Sequence, residues 1–113
     1  MISSDYIRGY NDLMILKLLN ESDSYAYALS KKLDIISKGE YIIKETTLYS
    51  AFTRLEKNRY IETYYKNVPS GGPDRKYYHI TALGIKYLNS KLIEWEITKH
   101  VVDNVIKWRK QNE

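Results

Sequence analysis

The sequence has 113 residues, the usual length of one domain, and ordinary globular proportions of 43% hydrophobic and 28% charged residues. It contains no cysteine, which excludes disulfides, thiol redox chemistry and cysteine-ligated zinc. The net charge of +4 is compatible with a polyanionic partner, and most of the positive excess falls between positions 44 and 80. Charged residues interrupt the apolar N-terminal segment, so we expect no signal peptide, no membrane span and a cytoplasmic location.

Two helices are predicted in the first third of the chain. Apolar residues between Tyr6 and Leu19 follow helical spacing, and a polar break comes after them. Asp23 or Ser24 is the predicted N-cap of the second helix. We expect Gly39 to end that helix in a left-handed conformation, and the apolar run Tyr41–Ile43 could form a minor strand.

A third helix is predicted to begin near Glu45. Leu48, Phe52 and Leu55 recur at intervals of four and three and form a narrow inward stripe. The other positions carry hydroxyl and basic side chains, whereas a merely solvated helix favours Glu, Lys and Gln. Such side chains can reach phosphates and base edges, so this helix is a candidate for reading DNA. Its outward residues are Thr46, Thr47, Tyr49, Ser50, Thr53, Arg54 and Lys57.

A β-hairpin is predicted after the third helix. The segments 60–67 and 75–80 are rich in Tyr, Ile and Thr, and the turn formers of Val68–Asp74 separate them. Cations near the tip could grip a phosphate backbone: Lys66, Arg75 and Lys76. The alternative is an ordinary exposed hairpin that avoids edge pairing through charge and proline. The order of these elements predicts a winged helix-turn-helix that spans residues 1–80.

The remaining stretch, 81–113, predicts one long helix or two helices with a bend, because it lacks proline and its only glycine is Gly84 in the first turn. Two adjacent apolar stripes make a face too broad for this small domain to cover. We therefore expect a dimerisation helix and a two-fold homodimer, with the first helix joining the contact and the recognition helices meeting successive major grooves of a pseudo-palindromic operator. The predicted interface residues are Leu88, Leu92, Trp95, Val101, Val102, Val105 and Ile106.

Several motifs stand at informative spacings: Thr-Leu-Tyr at 47–49, Arg-Leu-Glu at 54–56 and Arg-Lys-Tyr-Tyr at 75–78. With the segments around them, they make positions 7 to 90 resemble the PadR-type transcriptional regulators. The resemblance implies a mainly α fold with a small β-hairpin, a winged helix-turn-helix followed by a long C-terminal dimerisation helix. The chain departs from the common family pattern at Ala26, Ala28, Thr46 and Ser50, where the family often has Gly, Glu, Gly and Pro. Such changes can alter the preferred operator while the fold is kept.

The resemblance also implies roles for particular residues. Tyr25 and Tyr27 would lie near the DNA backbone, Thr47, Tyr49, Thr53 and Arg54 would face DNA from the recognition helix, and Arg75 and Lys76 would act in the wing. Arg54 could pair bidentately with a guanine or clamp a phosphate. Repression is the usual mode of the family. Tyr77 and Tyr78 alternate across a strand, so one should be buried and the other exposed, with the order left open.

Trp95 has two interpretations. At helical spacing it could simply pack in the dimer core. By resemblance to the multidrug-sensing members of the family, it could instead line a cavity between subunits that holds a flat, often cationic, aromatic effector. Such a ligand would release the operator if it bound better to the DNA-incompetent arrangement. Trp108 is expected to anchor the helix end or to be partly exposed.

Catalysis is not predicted, because His79 and His100 have no cysteine and no glycine-rich phosphate loop near them to complete a site. Glu96, His100 and Asp103 share a helix face, a pattern more typical of a solvated charge cluster than of a metal site. We therefore expect no cofactor and no metal. The competing hypothesis is a winged-helix protein-interaction module without sequence-specific DNA binding, which would lack the steep salt dependence of a DNA reader.

Overall fold

The computed structural model describes residues 1–111, so the last two positions of the predicted C-terminal stretch lie outside it. The fold is mainly helical with one small hairpin, as predicted. None of the described helices is long and apolar enough to cross a membrane. The elements are α1 (Ser4–Ile7), a 3₁₀ turn (Arg8–Tyr10), α2 (Asn11–Glu21), α3 (Ala26–Ile36), α4 (Glu45–Lys57), β1 (Ile61–Lys66), β2 (Arg75–Ile80) and α5 (Ala82–Lys107).

The first predicted helix is divided in two at the 3₁₀ turn. Gly9 lowers the helix propensity at this point. The buried Asn11 side chain donates to the Arg8 carbonyl at 3.4 Å and accepts a hydrogen bond from the Tyr41 hydroxyl at 2.6 Å. The first of these bonds competes with regular helical pairing, so α2 starts afresh at Asn11.

The predicted N-cap of the second helix is wrong, because α3 begins after Tyr25. Neither Asp23 nor Ser24 is available for capping. The Asp23 carboxylate accepts hydrogen bonds from the hairpin, and the Ser24 backbone pairs with Tyr78 through N–O distances of 3.2 and 2.7 Å. The turn between α2 and α3 is therefore attached to strand β2.

Gly39 is left-handed as predicted, with a φ of 77°, and its amide donates to the Asp34 carbonyl at 2.9 Å. The first left-handed residue after the Ser37 C-cap is however Lys38, with a φ of 55°, so α3 ends one position earlier than a Gly39 terminus implies. The minor strand predicted at Tyr41–Ile43 is absent, because within residues 1–111 the sheet consists of β1 and β2 alone. Tyr41 and Ile43 are nevertheless buried, which explains why the segment is apolar.

The core lies between α2, α3, α4, the hairpin and the start of α5. Leu48, Phe52 and Leu55 of α4 are buried, as their spacing predicted. Phe52 stacks on Tyr78 with ring centroids 3.8 Å apart, so Tyr78 is the buried member of its pair and Tyr77 lies on the opposite, half-buried face. This stacking holds α4 against the hairpin.

Helix α5 is one continuous helix, so the first of the two predicted arrangements is correct and the bend is absent from it. Its first turns pack on the core, and Leu88 has no exposed area at all. Leu88 was predicted to contact a partner subunit, and this prediction is wrong because a fully buried side chain has no surface left to offer. Beyond residue 92 the helix projects from the core, and the longest dimension of the molecule is 70 Å.

Candidate nucleic-acid interface

Helix α4 presents a polar side to solvent. Its inward stripe faces the core, and the opposite positions Thr46, Ser50, Thr53 and Lys57 are exposed, while Thr47 is half-buried. The Thr53 hydroxyl donates to the Tyr49 carbonyl at 3.0 Å and keeps its lone pairs for an outside donor. The helix begins after Lys44, and no side chain within residues 1–111 caps its first amides. Those amides and the hydroxyls of Thr46 and Ser50 are suitable donors to phosphate oxygens, whereas Thr53 can only accept a further hydrogen bond.

A cleft of about 360 Å³ lies between α3, α4 and the wing hairpin. The structure brings six of the predicted site residues to its walls: Tyr25, Tyr27, Tyr49, Thr53, Arg75 and Lys76. The other six predicted residues, Thr46, Thr47, Ser50, Arg54, Lys57 and Lys66, do not line this cleft. Four of those lie elsewhere on α4 with exposed side chains, namely Thr46, Ser50, Arg54 and Lys57.

The wing cations are held by aromatic neighbours. The Arg75 guanidinium lies 4.0 Å from the centroid of the Tyr25 ring, and Tyr25 in turn contacts Tyr77 at 5.4 Å. Lys66 pairs with Arg75 across the last rung of the hairpin, and its Nζ lies 4.9 Å from the Tyr77 ring. Lys76 lies 3.9 Å from the Glu56 carboxylate. Cation–π contacts orient these side chains while leaving the charges undiminished.

Asp23 connects the wing to the turn before α3. Its carboxylate accepts a hydrogen bond from the Tyr64 hydroxyl at 2.6 Å and lies 2.7 Å from Nδ1 of His79. Partial burial acts to raise the pKa of Asp23, but the bonds from Tyr64 and His79 outweigh it, so the pKa lies below its ordinary value. The hydrogen bond from its hydroxyl to the Asp23 carboxylate raises the pKa of Tyr64 to about 12. The position of the wing thus depends on an ionised carboxylate.

Arg54 is bound within the protein. Its Nη2 and Nε donate to the two Asp12 carboxylate oxygens at 2.7 and 3.2 Å, and this bond raises the pKa of Arg54. The Nε edge of the guanidinium is thus occupied, and only the Nη1–Nη2 edge could serve a guanine. The side chain remains half-exposed beside the polar side of α4.

Asp12 and Asp23 are the functional-site residues that the sequence did not reveal. Asp12 precedes Arg54 by 42 positions, and Asp23 precedes its partners Tyr64 and His79 by 41 and 56. Local periodicity carries no signal at such separations. A pattern of paired substitutions among relatives is the signal that could have found them.

Trp95 lies on the side of α5 that faces α2. Its ring meets Tyr10 edge to face, with centroids 4.9 Å apart. Two clefts share this aromatic pair, one of about 290 Å³ and a more apolar one of about 590 Å³. The second runs between the N-terminal segment and α5 and includes Tyr6, Met14 and Val102 in its walls. Trp108 caps α5 and is exposed, which agrees with one of its two expected positions.

The far half of α5 exposes aliphatic side chains. Of the predicted interface residues, Leu92 packs on the core and is partly buried, whereas Val101, Val102, Val105 and Ile106 are exposed. Two further exposed residues, Ile93 and Ile97, join this apolar surface. Glu96, His100 and Asp103 share the neighbouring face of α5. Within the described part of the chain, no group of three His, Asp or Glu side chains is arranged to hold a metal ion, and these three are no exception. Glu96 instead pairs with Lys99 at 2.8 Å.

Comparison with known proteins gives consistent matches. Residues 15–90 match the family described as the transcriptional regulator PadR-like family. The structure is similar to that of a transcriptional regulator from Clostridium thermocellum, with 54% identity, coverage of 95% of this chain and 100% of that one, and a TM-score of 0.86. It is also similar to a PadR family transcription regulator from Clostridium difficile, at 35% identity over 86% of this chain and 98% of the other, with a TM-score of 0.73. An uncharacterised protein of Lysinibacillus sphaericus is 46% identical over 91% of this chain and 94% of its own length.

Proposed function

Because this chain belongs to the PadR-like family of transcriptional regulators, we propose that it is a cytoplasmic, homodimeric repressor that binds a two-fold-symmetric operator. The observation that carries the proposal is the convergence of hydroxyl and cationic side chains from the start of α3, from α4 and from the wing on one cleft. Regulation of transcription, not catalysis, is the activity that the family supports.

In the proposed complex, α4 enters the major groove and the wing follows the phosphate backbone. Thr46, Ser50 and Lys57 lie on the exposed side of α4 and are placed to reach base edges. Contacts to phosphates come from Thr47, Tyr49, Arg54 and the cleft residues Tyr25, Tyr27, Arg75 and Lys76, with Lys66 at the wing tip. Thr53, whose proton goes to the Tyr49 carbonyl, would instead accept a hydrogen bond from a base amino group. With its Nε edge bonded to Asp12, Arg54 offers its Nη1–Nη2 edge to either a phosphate or a guanine.

The proposed dimer contact is made by the exposed half of α5. Val102 belongs both to this exposed aliphatic surface and to the wall of the 590 Å³ groove, so the two are continuous. The α5 helix of a second copy could therefore fill the groove while covering the surface. Burying several exposed Val and Ile side chains at about 25 cal/mol per Å² is a sufficient driving force for association. A two-fold axis at this contact would set the distance between the two α4 helices.

A small aromatic effector is proposed to bind beside Trp95. Tyr10 and Trp95 supply an aromatic wall, and the 290 Å³ cleft next to them is large enough for a flat ring system. Trp95 and Tyr10 also border the groove assigned to the second subunit, so a ligand here could change the dimer geometry and lower operator affinity. The alternative is that Trp95 only packs the dimer core.

The proposal is tested by titrating the protein against the DNA upstream of its own gene, at two salt concentrations and with unrelated competitor DNA. We expect tight binding with two subunits per site that survives the competitor and weakens steeply as salt rises. Equal affinity for both DNAs, or affinity that does not change with salt, would favour the protein-interaction module instead.

A further inference from the structure

Asp12 belongs to two sites at once. Its carboxylate accepts both hydrogen bonds from Arg54 of the recognition helix. Asp12 also lines the 290 Å³ cleft that contains Tyr10 and Trp95. Its side chain is 25% exposed, so the bond to Arg54 does not seal it from the cleft. A single carboxylate therefore lies between the candidate effector cleft and the DNA-facing helix.

The charges around the cleft are unequal. The lining side chains that are charged at neutral pH are Asp12, Glu94 and Lys91, and Lys91 pairs with Glu94 at 3.2 Å. The cation that pairs with Asp12 is Arg54, which does not line the cleft. Lys99 lies 5.5 Å from the Trp95 ring but is itself paired with Glu96. Of the two carboxylates that line the cleft, Asp12 is thus the one whose cationic partner lies outside it, next to the aromatic wall.

We propose that Asp12 makes the Trp95 cleft selective for aromatic cations and that Arg54 is an internal competitor for the same carboxylate. This inference rests on the proposed effector site. A cation in the cleft and the guanidinium of Arg54 are both attracted to the Asp12 carboxylate. Each cation therefore weakens the interaction of the other with Asp12. Binding of such a cation therefore loosens the attachment of the recognition helix to α2. The link needs no displacement of the core, because Asp12 lines the cleft and also holds Arg54 directly.

The experiment compares two probes of the same shape, the 1-methylquinolinium cation and the uncharged 1-methylnaphthalene. Binding is followed by quenching of Trp95 fluorescence in a Trp108→Phe background, so that a single indole reports. The chains compared are this parent, Asp12→Asn, Arg54→Gln and the double variant. The uncharged probe is the control for intact folding, and its affinity should be the same in all four chains.

We expect the cation to bind about fivefold or more weakly to Asp12→Asn and about fivefold or more tightly to Arg54→Gln, with the double variant resembling Asp12→Asn. Unchanged cation affinity in Asp12→Asn, or weaker binding in Arg54→Gln, would overturn the inference while the effector site stands. If neither probe binds the parent, the effector site itself is refuted and the inference falls with it. The parent titration therefore separates the two failures.

Discussion

Asp23 shows how much a single carboxylate contributes to this structure. It is the point at which the turn before α3 meets two side chains of the wing, Tyr64 and His79. Because its pKa is lower in the folded chain than its ordinary value of 3.8, ionisation of Asp23 favours the folded state. This contribution is complete above the ordinary pKa and is lost as the pH falls through the lowered one.

We predict that Asp23→Asn lowers the free energy of unfolding at pH 7 by about 1 kcal/mol, since the carboxylate is one-third exposed and partly screened. The difference between variant and parent should shrink as the pH falls below about 4, where the parent also loses the charge. Urea unfolding at a series of pH values measures this. A difference that stays constant down to pH 2.5 would show that the charge is not what matters.

Gly84 is a second residue whose role follows from its surroundings. A Cβ atom at this position would lie 2.1 Å from the carbonyl oxygen of Tyr60. That carbonyl cannot easily move away, because it accepts a hydrogen bond from the Thr81 amide at 3.0 Å. Glycine is therefore required for the close approach of α5 to the end of α4 and the start of the hairpin.

We predict that Gly84→Ala lowers the free energy of unfolding by at least about 2 kcal/mol through this clash. The matched control is Gly9→Ala, because a Cβ there meets nothing within 4 Å and should be tolerated. Thermal unfolding of both variants provides the comparison. Equal stability of the two would mean that α5 shifts to make room.

The hairpin β1–β2 packs firmly against both α4 and the turn before α3. Phe52 of α4 stacks on Tyr78 of β2, Ser24 pairs with the same strand, and Arg75 lies on Tyr25. These contacts fix the hairpin beside α4 in the free chain, so the proposed DNA contact would need little rearrangement of the two elements.

Lys66 provides a test of the wing, because it lies at the last rung of the hairpin and its side chain is exposed. We predict that Lys66→Ala weakens binding to all DNA sequences alike and reduces the slope of log affinity against log salt by about 0.9, the value for one phosphate contact. Lys107→Ala, at the far end of α5, removes the same charge and should leave the slope unchanged. An equal effect of both would indicate a general charge effect with no wing contact.

At the scale of the whole molecule, the long helix divides into two functional parts. Its first turns complete the core, where Leu88 is buried, and the rest extends a row of exposed aliphatic side chains away from it. A monomer would leave this row in water. Association through it would turn one winged helix into a pair, which is what a symmetric operator needs.

We predict that Ile97→Lys converts the dimer to a monomer and weakens operator binding at least tenfold, because a charge would be buried in the contact. Ile36→Lys is the matched control, since Ile97 and Ile36 are 58% and 64% exposed and only the first lies on α5. Light scattering combined with gel filtration measures the mass in solution. A parent chain of monomeric mass, or a dimer that survives Ile97→Lys, would contradict the proposed contact.

Most of the elements, and the character of their faces, follow from local patterns in the sequence. Helical spacing located the buried stripe of α4, alternation located the hairpin, and Gly39 marked the end of α3, because each of these signals is local in the chain. The polar side of α4 and the wing cations followed from the same patterns. The motif resemblance to PadR-type regulators rested on residues within those elements.

Which side chains have partners, and which apolar residues are covered, depends on how distant segments pack. Local spacing favours Asp23 or Ser24 as a helix cap, but Asp23 binds the wing. The apolar stripe of α5 predicts a dimer contact for Leu88, but the chain's own core covers this residue. The bond between Asp12 and Arg54 joins positions 42 apart and changes what Arg54 can do for DNA. Periodicity states which face of a helix is apolar or polar, but the packing of distant segments determines what that face meets.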